Sequence, residues 1–330
     1  MIPTMDSLPD LHFRPTRGPA DAEALLAVQR GRETHDGIDP LSTTESLATR
    51  KLILEGLTAA ANGREDRYCM VEAGDDVIGY GRVIDWTEAD GMRVFLHVGW
   101  VLPEWRGRGV GTALLRRLEG RIRELAAEGT GPWEYAANAT STDPDSTRLL
   151  LDNGYRPGYT VLEMGLDWAV FEASLARTAW PAGFELRPAL PEQAQVIARS
   201  VQEAYAGEYP ADRYHEEMDV TAYAAELTQP PIDLSLLQVA WSGDEVAGQV
   251  IPLIEKGRAE IYEVSVRPAY RRRGLARALL TRALLDLRAR GVAVVRLHTV
   301  AEFQTRARDL YEALGFRVLK EFPRYRKPGG

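Results

Sequence analysis

Leu279, Leu280, Ala283, Leu284 and Leu287 recur at helical spacing, with Arg282, Asp286 and Arg290 on the other faces, until Gly291 ends the run. The spacing predicts an amphipathic helix lying on a core. Upstream, 259–266 reads as a strand, and 236–241 with 246–254 reads as a hairpin turning at Gly243 and Asp244. Residues 184–188 predict a further strand, 191–206 a helix introduced by Pro191, and Val294 to Thr299 a strand after the long helix. Strands and helices in this order make an α/β or α+β domain.

The pattern occurs twice. Leu114, Leu115, Leu118, Ile122 and Leu125 repeat the helical stripe, and Val98 to Leu115 aligns without gaps on Glu263 to Leu280, an offset of 165 positions. Pro103 meets Pro268, Arg106 meets Arg271 and Gly109 meets Gly274. The flanks agree at nearby offsets: Phe13-Arg-Pro15 with Leu186-Arg-Pro188, Val77-Ile-Gly79 with Val246-Ala-Gly248, and Asp152-Asn-Gly-Tyr155 with Ala313-Leu-Gly-Phe316. The period is too long for a solenoid. It predicts two copies of one domain, 1–178 and 183–330, divided where Trp180-Pro-Ala-Gly183 interrupts a helical stretch running from Ala169 to Arg177.

Composition agrees with that division. At 330 residues the chain has room for two domains of about 150 residues, each with its own core. Hydrophobic residues at 45% and charged residues at 27% exclude a disordered or fibrous chain. The one cysteine, Cys69, lies in a hairpin, Tyr68 to Glu72, and reads as packing. With the scattered His12, His35, His97, His215 and His298 it forms no zinc-type cluster, so a metal-free mechanism is expected. Met1 to Asp10 lack the features of a signal peptide, and no apolar run reaches the roughly 18 residues of a membrane span, so the chain reads as cytoplasmic. A net charge of −8 argues against nucleic acid as a partner.

The candidate chemistry lies where a strand runs into Arg-x-x-Gly-x-Gly/Ala and then a helix. Helix N-termini expose unpaired N–H groups at the positive end of the dipole, and a loop without Cβ atoms can approach a pyrophosphate closely. Gly109 with Gly111, and Gly274 with Ala276, meet that need. Neither copy has Gly-Lys-Ser/Thr, and Gly107-Arg-Gly-Val-Gly111 lacks the last glycine of a dinucleotide fingerprint, which disfavours Walker-type NTPases and dinucleotide oxidoreductases. The Arg271-Arg-Arg273 run lies inside this loop without an aromatic platform, so it fits a phosphate group better than nucleic acid.

Val266-Arg-Pro-Ala-Tyr-Arg-Arg-Arg-Gly-Leu-Ala276 followed by Leu310-Tyr-Glu-Ala-Leu-Gly-Phe316 resembles the GNAT superfamily of N-acetyltransferases, and both halves share the resemblance. It implies two GNAT-type domains, each a twisted mixed central sheet flanked by helices, splayed between its fourth and fifth strands to admit acetyl-CoA. It also implies that backbone groups of Val264 and Val266 pair with pantetheine while Arg271, Arg272, Arg273, Gly274, Leu275 and Ala276 surround the pyrophosphate. The first-half counterparts are Gly99, Val101, Arg106, Gly107, Arg108, Gly109, Val110 and Gly111. Gln304 stands where the family often has an asparagine on the pantetheine chain.

Acetyl transfer to an amine needs a neutral nucleophile. A lysine-like amine, pKa about 10.4, costs about 4.6 kcal/mol to neutralise at pH 7, and an α-amine near 7.8 about 1. By resemblance Tyr311 gives its proton to the CoA sulfur, against the alternative that it only packs on the sheet. Three residues are candidates for the base: Glu263, Glu260 and His298. Period-two alternation places the two glutamates on opposite faces of one strand, so only one of them would face the cleft.

The reading is an acetyl-CoA-dependent N-acetyltransferase acting on a primary amine of a small molecule or peptide, as a monomer or homodimer. The alternative is a non-catalytic acyl-CoA-binding or sensing protein. Glu203 to Glu226, with seven acidic residues, one arginine and interspersed tyrosines, would wall the acceptor site and suit a cationic amine. The first half looks degenerate. Counting back from Gly154 as from Gly315, Leu150 replaces Tyr311 and Ala137 replaces His298; counting back from Arg106, Val98 and Phe95 replace Glu263 and Glu260.

Overall fold

A computed structural model describes residues 11–42, 44–45, 48–175, 179–206, 218–255, 257–302 and 306–329. In chain order the first half contributes β1 (Leu11–Arg14), α1 (Ala22–Glu33), α2 (Arg50–Ala60), β2 (Tyr68–Ala73), β3 (Asp76–Thr87), β4 (Arg93–Val101), α3 (Val110–Ala127), β5 (Trp133–Asn138) and α4 (Pro144–Asp152). Then follow β6 (Arg156–Leu166), α5 (Trp168–Ser174), β7 (Glu185–Arg187), α6 (Ala194–Tyr205), α7 (Val220–Glu226), β8 (Gln238–Ser242), β9 (Glu245–Glu255) and β10 (Arg258–Val266). The chain closes with α8 (Leu275–Ala289), β11 (Val294–Val300), α9 (Ala307–Ala313) and β12 (Phe316–Pro328). The two leucine-rich helical stripes lie on α3 and α8. Leu279, Leu280, Ala283, Leu284 and Leu287 are all fully buried, each Leu contributing roughly 1.5–3 kcal/mol.

Two compact units result, 1–159 with 322–330, and 160–321. In each, four antiparallel strands lead to a parallel one: β1-β2-β3-β4 then β5, and β7-β8-β9-β10 then β11. The mixed sheets flanked by helices are those expected. The division expected from the repeat, 1–178 and 183–330, differs from these units at both ends, because the last strand of each sheet comes from the other half of the sequence. Val161–Gly165 of β6 pair antiparallel with β11, and Arg324–Pro328 of β12 pair antiparallel with β5. An isolated parallel strand has an open edge, and a strand delivered from either half covers it equally well. Among the described residues no helix is long and apolar enough to cross a membrane.

The tail is tied down by charge. Arg326 is buried in the first unit with Nη2 2.9 Å from Glu88 Oε1 and Nε 2.9 Å from Glu134 Oε1, and both carboxylates are buried too. Removing one partner of a buried ion pair leaves the other charge uncompensated. Arg326→Leu should therefore destabilise the first unit by about 3–5 kcal/mol, read as an earlier transition in urea unfolding.

Candidate active site

Both glycine loops are built alike. The Nε of Arg106 donates to the Val101 carbonyl at 2.9 Å, and the Nε of Arg271 donates to the Val266 carbonyl at 3.0 Å. Arg106 also grips Asp36, and Arg271 donates to the Ala204 carbonyl. The repeated arginine thus braces its own loop, holding the strand end against the turn. Two residues in each loop adopt the left-handed conformation, Gly107 (φ 69°) and Gly109 (φ 88°), Arg272 (φ 62°) and Gly274 (φ 82°). That alternation turns successive N–H groups toward one concavity, an arrangement that suits an anion. Gly109 and Gly274 are also the N-caps of α3 and α8, and neither helix has a side-chain cap, whereas Thr49, Asp143, Asp167 and Asp219 cap α2, α4, α5 and α7. The leading N–H groups of α3 and α8 are therefore left for another acceptor. Buried Val110 and Leu275 anchor the first turns, while Arg108 and Arg273 lie over aromatic rings, Trp105 at 5.5 Å and Tyr270 at 5.9 Å. The left-handed φ of 82° at Gly274 favours glycine, and a Cβ added there would meet nothing within 4 Å, so the space above it is open.

Next to each loop the sheet opens. β10 pairs with β11 from Arg258↔Val294 only as far as Ile261↔Leu297, yet β10 continues to Val266. β4 pairs with β5 from Arg93↔Trp133 to His97↔Ala137 and continues to Val101. The gap lies between the fourth and fifth strands of each sheet. Val264 and Val266 keep their partners on β9 and have none on β11, so their other edge faces the gap.

A bulge decides what lines the gap in the second unit. Ile261 pairs with Pro252 and Glu263 with Ile251, adjacent residues of β9, so Tyr262 is the extra residue. Proline has no N–H for the ladder, and in an inner strand such as β9 it is accommodated at a bulge. Beyond the bulge the alternation is inverted. Ala259, Ile261, Val264 and Val266 pack on the α8 side, while Glu260, Glu263 and Ser265 all face the opposite side, toward α6. The expectation that the two glutamates occupy opposite faces is corrected, and the extra residue is the reason.

The three candidate bases then separate by environment. Glu263 is 9% exposed; its Oε1 accepts from the Tyr205 hydroxyl at 3.0 Å, and burial pushes its pKa up to about 7. Glu260 is engaged elsewhere, 3.2 Å from His298 Nδ1 and 3.7 Å from Arg258. The His298 side chain is 44% exposed. Tyr311 comes from the other side of the sheet, 6% exposed among the α8 leucines, and its hydroxyl has no hydrogen-bond partner among the described residues. Burial, and next the nearby charge of Glu263, raise the phenol's pKa, so it holds its proton at neutral pH. Cys69 is buried and its thiol pushed up to about 11 by that burial, which fits packing. Gln304 and residues 207–217 of the acidic segment lie outside the described residues.

The acetyltransferase (GNAT) family profile matches residues 39–139 and 198–316. The chain belongs to the GNAT family of acetyltransferases. A mycothiol acetyltransferase from Geodermatophilus obscurus is 31% identical over 90% of this chain and 91% of its own. Among solved structures, a GCN5-related N-acetyltransferase from Sphaerobacter thermophilus shares the fold at a TM-score of 0.74 with 23% identity, covering 98% of this chain and 97% of that one. A tandem GNAT protein from the clavulanic acid biosynthesis pathway matches at 0.64 with 17% identity, covering 97% and 99%. This chain is likewise a tandem GNAT enzyme, an N-acetyltransferase.

The two GNAT units carry different side chains at the gap. β4 runs against β3 without a bulge, so its register slips by one residue relative to β10. His97↔Ala137 is the last pair where the second unit has Ile261↔Leu297, which puts Leu96 and Asn138 where equal spacing had put Phe95 and Ala137. Val98 and buried Leu150 still stand for Glu263 and Tyr311. His97 packs inward with its Nε2 2.8 Å from the Tyr155 hydroxyl, which donates to Glu119 at 2.9 Å; burial lowers its pKa to about 4. Sequence reasoning missed the bulge, although Pro252 inside a strand signals one, and missed Gln249, a lone amide in the apolar run Val246 to Ile251.

Proposed function

We propose that the second unit transfers the acetyl group of acetyl-CoA to a primary amine of a small molecule or an amino terminus, and that the first unit is a structural or cofactor-retaining partner. Acetyl-CoA supplies a thioester whose carbonyl carbon is attacked and whose sulfur leaves as thiolate. The residues suit it: the uncapped N–H groups from Gly274 onward can donate to a pyrophosphate, and the unpaired edge of Val264 and Val266 can pair with an extended amide chain. Glu263 takes the ammonium proton, directly or through one water, since a base near 7 combines a usable ionised fraction with useful basicity. Tyr311, on the opposite face of the gap, protonates the departing sulfur.

The observation that carries this reading is the buried Glu263 carboxyl at the point where β10 bulges and leaves β11. The test is CoA release with acetyl-CoA and a panel of primary amines, amines related to mycothiol first because of the similarity to mycothiol acetyltransferases. Tyr311→Phe should lower kcat about 10- to 100-fold with little change in acetyl-CoA affinity, because the proton is needed only as the thiolate develops. An unchanged kcat would make Tyr311 a packing residue.

A further inference from the structure

The arginine of the first unit's loop already holds an anion. Arg106 donates from Nε to the Val101 carbonyl, and its two terminal nitrogens form a fork on Asp36, Nη2 3.0 Å from Oδ2 with Nη1 on Oδ1. Asp36, just beyond the end of α1, is held from a second direction by Arg32 Nη1 at 3.1 Å, and Arg32 lies over the Trp100 ring with its Nε on Gln29. Burial works against a charge on Asp36, yet hydrogen bonds from Arg106 and His35 hold its pKa below the ordinary value, so it is a carboxylate at neutral pH.

α4 brings further negative charge to the same loop. A Cβ at Gly111, in the first turn of α3, would stand 3.6 Å from Leu149 Cδ2 of α4. Asp145 lies one turn before Leu149 on that face, and Asp143 is the N-cap of α4. Burial works against the Arg106 charge, Asp36 favours it most strongly, and Asp143 and Asp145 act in the same sense.

The second unit is charged the other way. Its loop has Arg272 and Arg273 beside Arg271, whose Nη2 donates to the Ala204 carbonyl. Counting back from Gly315 as from Gly154 puts Arg306, the N-cap of α9, where the first unit has Asp145. Two loops with like backbones therefore offer a polyanion different surroundings. A guanidinium fork binds carboxylate and phosphate in the same way, so at the first loop a phosphate would compete with Asp36 for Arg106.

We propose that Asp36, with Asp143 and Asp145, closes the first unit's loop to acetyl-CoA, so that the chain binds one acetyl-CoA and binds it in the second unit. The proposal rests on the second unit being the acetyl-CoA site, and of the two roles named for the first unit it assigns the structural one.

Isothermal titration calorimetry of the full-length chain with acetyl-CoA, at low salt where charge effects are least screened, is the test. The parent should bind one equivalent per chain, and Gly274→Glu should show no measurable binding at concentrations that saturate the parent. In the Gly274→Glu background Asp36→Asn should strengthen first-unit binding by about 10-fold, and the further changes Asp143→Asn and Asp145→Asn should bring the gain to about 100-fold, giving a saturable site that Gly109→Glu removes again. Asparagine keeps the N-cap of α4. If Asp36→Asn does not fold, Asp143→Asn with Asp145→Asn leaves the Arg106 fork intact and should by itself give about 10-fold. Two equivalents in the parent, or no gain of binding in the asparagine variants, overturn the proposal while leaving the second unit's site in place. No binding by the parent, or binding lost in Gly109→Glu and kept in Gly274→Glu, overturns the assignment of acetyl-CoA to the second unit, and the proposal with it.

Discussion

Glu263→Gln should lower kcat/KM by about 10²- to 10³-fold near pH 7.5 and abolish the rise of the parent rate through pH 7. The parent gains activity as the carboxyl ionises, so its rate climbs from acid pH and levels off above about 7; the amide has no proton to lose and leaves a low profile without that limb. Stability should move the opposite way. Burial raises the Glu263 pKa from 4.5 to about 7, so between those values the folded protein binds more protons than the unfolded chain. Stability is then lost as pH rises through that window, a cost on the order of 3 kcal/mol above it. Glu263→Gln should accordingly melt at higher temperature than the parent at pH 8, with the advantage shrinking toward pH 5. A variant that is both slower and more stable, each with this pH dependence, identifies a strained catalytic carboxyl. Equal rates at all pH values would assign the base to Glu260 or His298.

Gly274→Glu should remove transfer almost entirely, by more than about 10²-fold, while Gly109→Glu should leave most of it. Two effects add at Gly274. A side chain in the left-handed region costs roughly 1–2 kcal/mol, and the new carboxylate stands at the helix N-terminus where the pyrophosphate is to sit. The fold should survive, because the added Cβ meets no neighbour. Thermal shift with acetyl-CoA gives the matching readout: the second unit's share of the stabilisation disappears with Gly274→Glu and persists with Gly109→Glu. Loss of transfer only in Gly109→Glu would reverse the roles assigned to the units.

Much of this was legible in the chain. Helical and strand periods, the glycines before α3 and α8 and the repeat itself are local signals, because each element's backbone geometry is set by residues a few positions apart. They determined the tandem fold and the two loops; the candidates Glu260, Glu263 and His298 followed from the strands beside the second loop, and Tyr311 from the resemblance to the family. Three matters were decided only in three dimensions. Which half supplies the last strand of each sheet depends on which open edge lies within reach of β6 and β12, and the repeat is silent on that. Whether Glu260 and Glu263 share a face depends on how β10 pairs with β9 across Pro252, so counting by two along one strand misplaced them, and the same slip misplaced Phe95 and Ala137 in the first unit. Finally, Glu263 differs from Glu260 in its surroundings alone: one is buried against Tyr205 and Ser265, the other paired with His298 and Arg258. Burial raises the proton affinity of Glu263, and that burial arises only when residues distant in sequence are packed together.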